Sequence, residues 1–115
     1  MICERFSVVI VSFPFVDSPA AKPRPALILS NERFNAENKH SVLAMITRAK
    51  STAWPSDYPI VEWEAAGLKA DCVVRFKLFT LDNRILRRRI GLLGNADQAA
   101  CAVAMTEMLG LQLTV

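Results

Sequence analysis

Hydrophobic spacing changes character once along this chain, near Asn95, and that change limits the folds open to it. Before it, apolar residues come in short β-branched runs or alternate with polar ones, as strands do. After it, Cys101, Ala102, Met105, Met108 and Leu109 recur at helical spacing. Asn95 is placed to cap that helix with Gln98 three residues on, and Gly110 stands where a helix stops. The expected fold is mainly β with a C-terminal helix: a small, strongly bent sheet or barrel with the helix packed on it.

Strands are expected over Ser7 to Phe13 (a central strand ended by Pro14), Ala26 to Ser30, Ser41 to Thr47, Tyr58 to Val61, Asp71 to about Leu81, and Arg88 to Leu93. Asp17 to Pro23 reads as a turn-rich loop and Lys50 to Ser56, with Trp54-Pro55, as another. Asn31 to Lys39 reads as a short helical turn or a loop, and Glu62 to Leu68 as one helical turn closed by Gly67.

With 115 residues, 52% of them hydrophobic, the chain is expected to be one domain over 1–115 with a well-filled core. No apolar run approaches the roughly 20 residues that span a bilayer. The apolar stretch Ser7 to Phe15 lacks a basic leader and a cleavage site, which argues against a signal peptide. Cys3, Cys72 and Cys101 are odd in number and far apart, and read as unpaired thiols in a reducing cytoplasm. No metal-ligand spacing, Ser/His/Asp set, carboxylate pair or phosphate-cradling glycine loop is present. That disfavours proteases, glycosidases, nucleotide kinases and metal nucleases, and no cofactor is expected.

Net charge is +3 and the isoelectric point about 9.0, with cations grouped at Lys22/Arg24, Arg48/Lys50, Arg75/Lys77 and Arg84/Arg87/Arg88/Arg89. The grouping suits a polyanion surface, and equally the solvation of strand ends. Lys22-Pro-Arg-Pro-Ala-Leu-Ile-Leu-Ser30 is the most specific stretch. Prolines on both sides hold Arg24 stiffly just before a buried strand. A guanidinium presented there can grip a phosphate through two parallel charge-assisted hydrogen bonds, although a plain surface arginine at a loop-to-strand junction has the same sequence.

Several segments together resemble the MazF/PemK family of bacterial toxins: VVIVSFPFVD (8 to 17), PRPALILS (23 to 30), MIT (45 to 47), AGLKADCVV (66 to 74), FTLDNRI (79 to 85), IGLL (90 to 93), and the closing Leu109-Gly110-Leu111. The resemblance runs through nearly the whole chain in order. It implies an SH3-like barrel of the MazF/PemK/CcdB type and a metal-independent endoribonuclease toxin paired with an antitoxin. Such an enzyme cuts single-stranded RNA by 2′-hydroxyl attack, leaving 2′,3′-cyclic phosphate and 5′-hydroxyl ends. Two positions depart from the family: Phe6-Ser7 replace its usual Gly-Asp or Gly-Glu pair, and Cys72 puts a thiol where it has a serine.

By that resemblance Arg24 and Thr47 are the catalytic pair, Arg24 stabilising the anionic phosphorane and Thr47 donating its hydroxyl to a non-bridging oxygen. A guanidinium is a poor base at neutral pH, so its role here is electrostatic. Phe15, Asp17, Lys22, Arg48, Lys50, Trp54, Arg84 and Arg87 are the candidate RNA-binding residues, Trp54 and Phe15 by stacking and the arginines by tracking the backbone. Arg88 and Arg89 belong to the same basic cluster. His40, the one histidine, and Glu62 and Glu64 are possible proton carriers that solvated loops explain as well. The family also implies a homodimer and a cognate antitoxin, while the lack of a spanning apolar run argues against membrane association. The competing readings are a binding module of this barrel without catalysis and a gyrase-targeting toxin. The second requires a tryptophan near the C-terminus, where this chain ends Leu111-Gln-Leu-Thr-Val115.

Overall fold

A computed structural model describes residues 1–12, 22–50 and 52–112. Its strands are β1 Ser7–Ser12, β2 Pro23–Ile28, β3 His40–Arg48, β4 Tyr58–Pro59, β5 Cys72–Asp82 and β6 Leu86–Leu92. They form one sheet in the order β4-β5-β3-β2-β1-β6, every neighbouring pair antiparallel. A short helix α1, Glu32–Asn38, precedes β3, a 3-10 turn at Asn83–Ile85 links β5 to β6, and helix α2, Asn95–Leu109, closes the chain.

The sheet is buried on both faces, which explains the uninterrupted apolar runs of its central strands. One face gathers Val8, Leu27, Ala44, Ile46, Val74 and Phe76 under α2, which contributes Cys101 with Ala102, Met105 and Met108 packed beside it. The other face gathers Val9, Val11, Ala26, Ile28, Leu43 and Leu81, with Met45 against them. Strict alternation along β1, β2 and β3 produces this split. Leu109 does not join the stripe expected of it; at the last turn of α2 it is 50% exposed.

Several boundaries differ from those expected: β4 ends at Pro59, short of Val61, and β2 at Ile28, short of Ser30. β2 begins at Pro23 and so includes Arg24, which faces Val11 across the β1 ladder. Prolines are tolerated there because Pro23 to Pro25 pair on the β1 side alone, whereas Ala26 to Ile28 also pair with β3. β6 begins at Leu86, and two register shifts against β1 let it curl around the sheet edge. Gly94, not Asn95, caps α2; Asn95 is its first residue, while the Gln98 side chain donates to the Leu93 carbonyl at 2.8 Å. The stretch 61–67 is a series of turns that contains the expected helical turn, the Ala66 amide donating to the Glu62 carbonyl at 3.2 Å, and it closes at Gly67 with φ +87°. Gly110 closes α2 in the left-handed region, as its position implied.

Phe6, where the resembled family places glycine, adopts φ +70°. A bulky residue there is strained. Tertiary contacts hold it: its amide donates to the Ile28 carbonyl at 2.7 Å, its carbonyl accepts from Leu93 at 3.1 Å, and its ring is buried in the α2-side core.

Candidate functional site

The β2–β3 ladder runs Ile28–Leu43, Leu27–Ala44, Ala26–Met45 and then stops. Pro25 would come next opposite Ile46, and Arg24 opposite Thr47, but Pro25 and Pro23 have no amide hydrogen to continue the ladder. Beyond this point β2 remains bonded to β1 through Val11–Arg24, and β3 to β5 through Thr47–Val73. A cleft of about 740 Å³ is lined by residues of both strands here, Arg24 and Thr47 among them.

Its walls are apolar at Ile10, Ile46 and Leu68, and cationic at Arg24, Arg48, Lys69, Arg88 and Arg89. Among the described residues, no histidine or carboxylate lines it. Arg89 is partly committed, donating to Ser7 Oγ at 3.1 Å and to Glu4 at 3.2 Å. Among the described residues, no hydrogen bond or ion pair engages the head groups of Arg24, Arg48, Lys69 or Arg88. Four uncommitted cations around one concavity create a strong anion-attracting field. Thr47 contributes a hydroxyl-bearing side chain to the lining.

One wall depends on two glycines. A Cβ on Gly67 would lie 2.2 Å from the Ile90 carbonyl oxygen, and one on Gly91 would lie 2.2 Å from that of Ala66. This backbone-to-backbone contact seats the turn carrying Leu68, Lys69 and Ala70 against β6, so that Lys69 joins Arg88 and Arg89 in the same cleft. Cys72 also lines the cleft but is 5% exposed. Burial pushes its thiol up, with Asp71 adding to the effect and Arg48 opposing it, so it stays protonated and unreactive at neutral pH.

Of the residues singled out in the sequence, Arg24, Thr47 and Arg48 come together here. Lys22 and Lys50 are exposed and outside the lining. Arg84 is turned onto Asp82 at 2.8 Å, holding that carboxyl at about 2, and Arg87 donates to Ser12 Oγ at 3.2 Å. Trp54 stands outside the cleft lining with its indole under the Arg75 guanidinium. His40 contacts the Asn38 carbonyl, and Glu62 and Glu64 are exposed outside the cleft. Phe15 and Asp17 lie outside the described residues. Lys69 went unrecognised in the sequence, where it is a single lysine after Gly67-Leu68 with no neighbouring charge of its sign.

No group of three or more His, Cys, Asp or Glu side chains placed to hold a metal ion occurs among the described residues. No helix among them is long and apolar enough to cross a membrane.

Comparison with known proteins places these features. Residues 4–109 match the family model of PemK-like, MazF-like toxins of type II toxin–antitoxin systems. An endoribonuclease solved in complex with its cognate antitoxin from a mycobacterial species superposes with a TM-score of 0.76 at 18% identity, covering 98% of both chains. A MazE–MazF complex from Deinococcus radiodurans gives 0.74 at 18% identity, covering 97% of this chain and 99% of that one. The Mycobacterium tuberculosis toxin MazF-mt6 gives 0.73 at 24% identity over 92% and 98%. At these identities the superpositions establish a shared fold, the barrel with its C-terminal helix. No curated protein matches by sequence.

Proposed function

We propose that this chain, which belongs to the PemK-like, MazF-like toxin family of type II toxin–antitoxin systems, is an endoribonuclease that cuts single-stranded RNA in the cationic cleft between β2 and β3. The observation carrying this reading is the placing of Arg24 and Thr47 in one cleft where the β2–β3 ladder has stopped, inside a lining with four uncommitted cations and no carboxylate among the described residues.

A phosphodiester seated there meets the Arg24 fork on its non-bridging oxygens and the Thr47 hydroxyl from the opposite strand. The ribose 2′-oxygen attacks phosphorus as its proton departs, the P–O5′ bond breaks, and the 5′-oxygen takes up a proton. The products are a 2′,3′-cyclic phosphate and a 5′-hydroxyl. Charge accumulates on the phosphorane oxygens, where preorganised donors lower the barrier most. A guanidinium is a poor base at neutral pH, so Arg24 is assigned the charge and not the proton. No metal is needed in this scheme. Arg48, Lys69 and Arg88 hold the flanking phosphates.

The mycobacterial endoribonuclease and the Deinococcus toxin were solved with their antitoxins. That supports a cognate antitoxin here too, and an acidic tail on it would compete with RNA for the same cations. The homodimer and the cytoplasmic setting are proposed on the family resemblance alone. Incubation with a mixed RNA pool in EDTA tests the activity: wild type should leave 5′-hydroxyl ends and R24A far fewer in the same time. A folded wild-type protein that leaves the pool intact would instead favour a binding module without catalysis.

A further inference from the structure

On the endoribonuclease reading, we infer that Trp54 is a stacking platform for a base next to the cleaved phosphate, and that Arg75 and Asp57 are the positioning residues that hold it. Period-two alternation puts Arg24 on the face of β2 that carries Ala26, and Thr47 on the face of β3 that carries Met45. Arg75 lies opposite Met45, and Val73 opposite Thr47. Arg75 is therefore the diagonal neighbour of Thr47 on the same face, a step of about 7–8 Å. The residue that holds Trp54 is thus one diagonal step from Thr47.

The Arg75 guanidinium sits 5.2 Å from the centroid of the Trp54 ring. Its nitrogens donate to both carboxylate oxygens of Asp57, at 3.1 and 2.9 Å, and to the Thr52 carbonyl. Asp57 in turn accepts the Trp54 amide at 2.9 Å. One cation thus closes the loop and covers one side of the indole, while the residue as a whole stays 41% exposed. An exposed apolar ring locked in place, where a solvated loop would let it turn inward, is organised for a ligand. Surrounding charge selects the ligand: Arg24 shares this face, and Lys22, Arg48 and Lys50 are exposed in the segments that flank Arg24 and Thr47 in sequence. A base attached to a polyanion suits both the ring and the field, since stacking on an aromatic plane beside cations is the common means of holding single-stranded RNA.

The experiment has two arms. First, cleavage sites in a mixed RNA pool are mapped for wild type, W54A and D57N, with kinetics on the preferred site. W54A should raise KM about tenfold or more with kcat unchanged, and relax base preference at one position beside the cut. D57N should shift in the same direction while its thermal unfolding confirms a folded chain. Second, the 2′-O-methyl form of that site, which lacks the nucleophile, is titrated while tryptophan fluorescence is followed. Wild type should be quenched and W54F should not, because the second tryptophan, Trp63, packs against the core. If wild type cuts and binds RNA but W54A keeps its KM and its site pattern, the platform is overturned and the nuclease stands. If wild type neither cuts nor binds, both fall. Should D57N unfold, the exposed Trp54 still decides the matter.

Discussion

Tyr58 on β4 donates its phenolic hydrogen to Asp97 in the first turn of α2 at 2.6 Å. Asp97 also accepts the amides of Val61 and Glu62, at 3.0 and 2.9 Å, and is 1% exposed. One buried carboxylate therefore fastens the closing helix to the loop after β4. Replacing it with alanine strands a phenol and two amides in the interior. D97A should lower stability by about 3 kcal/mol, read as a shift in the urea midpoint.

The same group carries a pH signature. Burial raises the Asp97 pKa, but the three hydrogen bonds outweigh it and hold the group below its ordinary value. Folded Asp97 thus binds its proton less readily than unfolded Asp97. Its contribution is fully present above the unfolded pKa of about 3.9 and is lost as pH falls through the folded one. Urea midpoints measured from about pH 5 downward should fall for wild type and fall less steeply for D97N.

Removing a preorganised donor from a site of this kind costs about 10²–10³ in rate. R24A should lose that much in kcat/KM for a short RNA. T47A should lose activity too, and T47S, which restores the hydroxyl, should recover most of it. Arg24 is exposed, so R24A should keep the wild-type melting temperature. Equal cleavage by wild type and R24A would remove this arginine from the chemistry.

RNA affinity should weaken steeply with salt. If Arg24, Arg48, Lys69 and Arg88 each neutralise one phosphate, the slope of log K against log salt is about −2.8. R88A should make it shallower by about 0.7. R84A should leave it unchanged, because Arg84 is already spent on Asp82. Filter binding at several salt concentrations distinguishes the two variants.

Gly67 is the residue on which the Lys69 wall turns. G67A introduces a Cβ at φ +87° against the Ile90 carbonyl, and β6 has no room to retreat without breaking its ladder to β1. Left-handed strain and overpacking together should cost about 3 kcal/mol. Thermal unfolding reads that loss, and RNA affinity should fall with it.

Much of the architecture was legible in local sequence. The β-branched run of β1, the period-two stretch of β5, the helical stripe after Asn95 and the stop at Gly110 are each written in neighbouring residues. Strand limits were less so. β2 reaches back through two prolines only because β1 pairs with it there while β3 does not, and β6 starts early only because its shifts let it follow β1. Both depend on partners distant in the chain.

Spacing and residue type alone therefore determined that this chain makes a mainly β sheet with one closing helix, and that Arg24 is held stiffly between prolines. Which cations share a cleft with Arg24 was decided in three dimensions. Arg84 and Arg75 look as available in the sequence as Arg88 and Lys69, yet folding gives the first pair carboxylate partners and turns the second pair toward the cleft. A guanidinium takes whichever anion the fold brings nearest, and nearness between distant segments is a property of register and strand curvature.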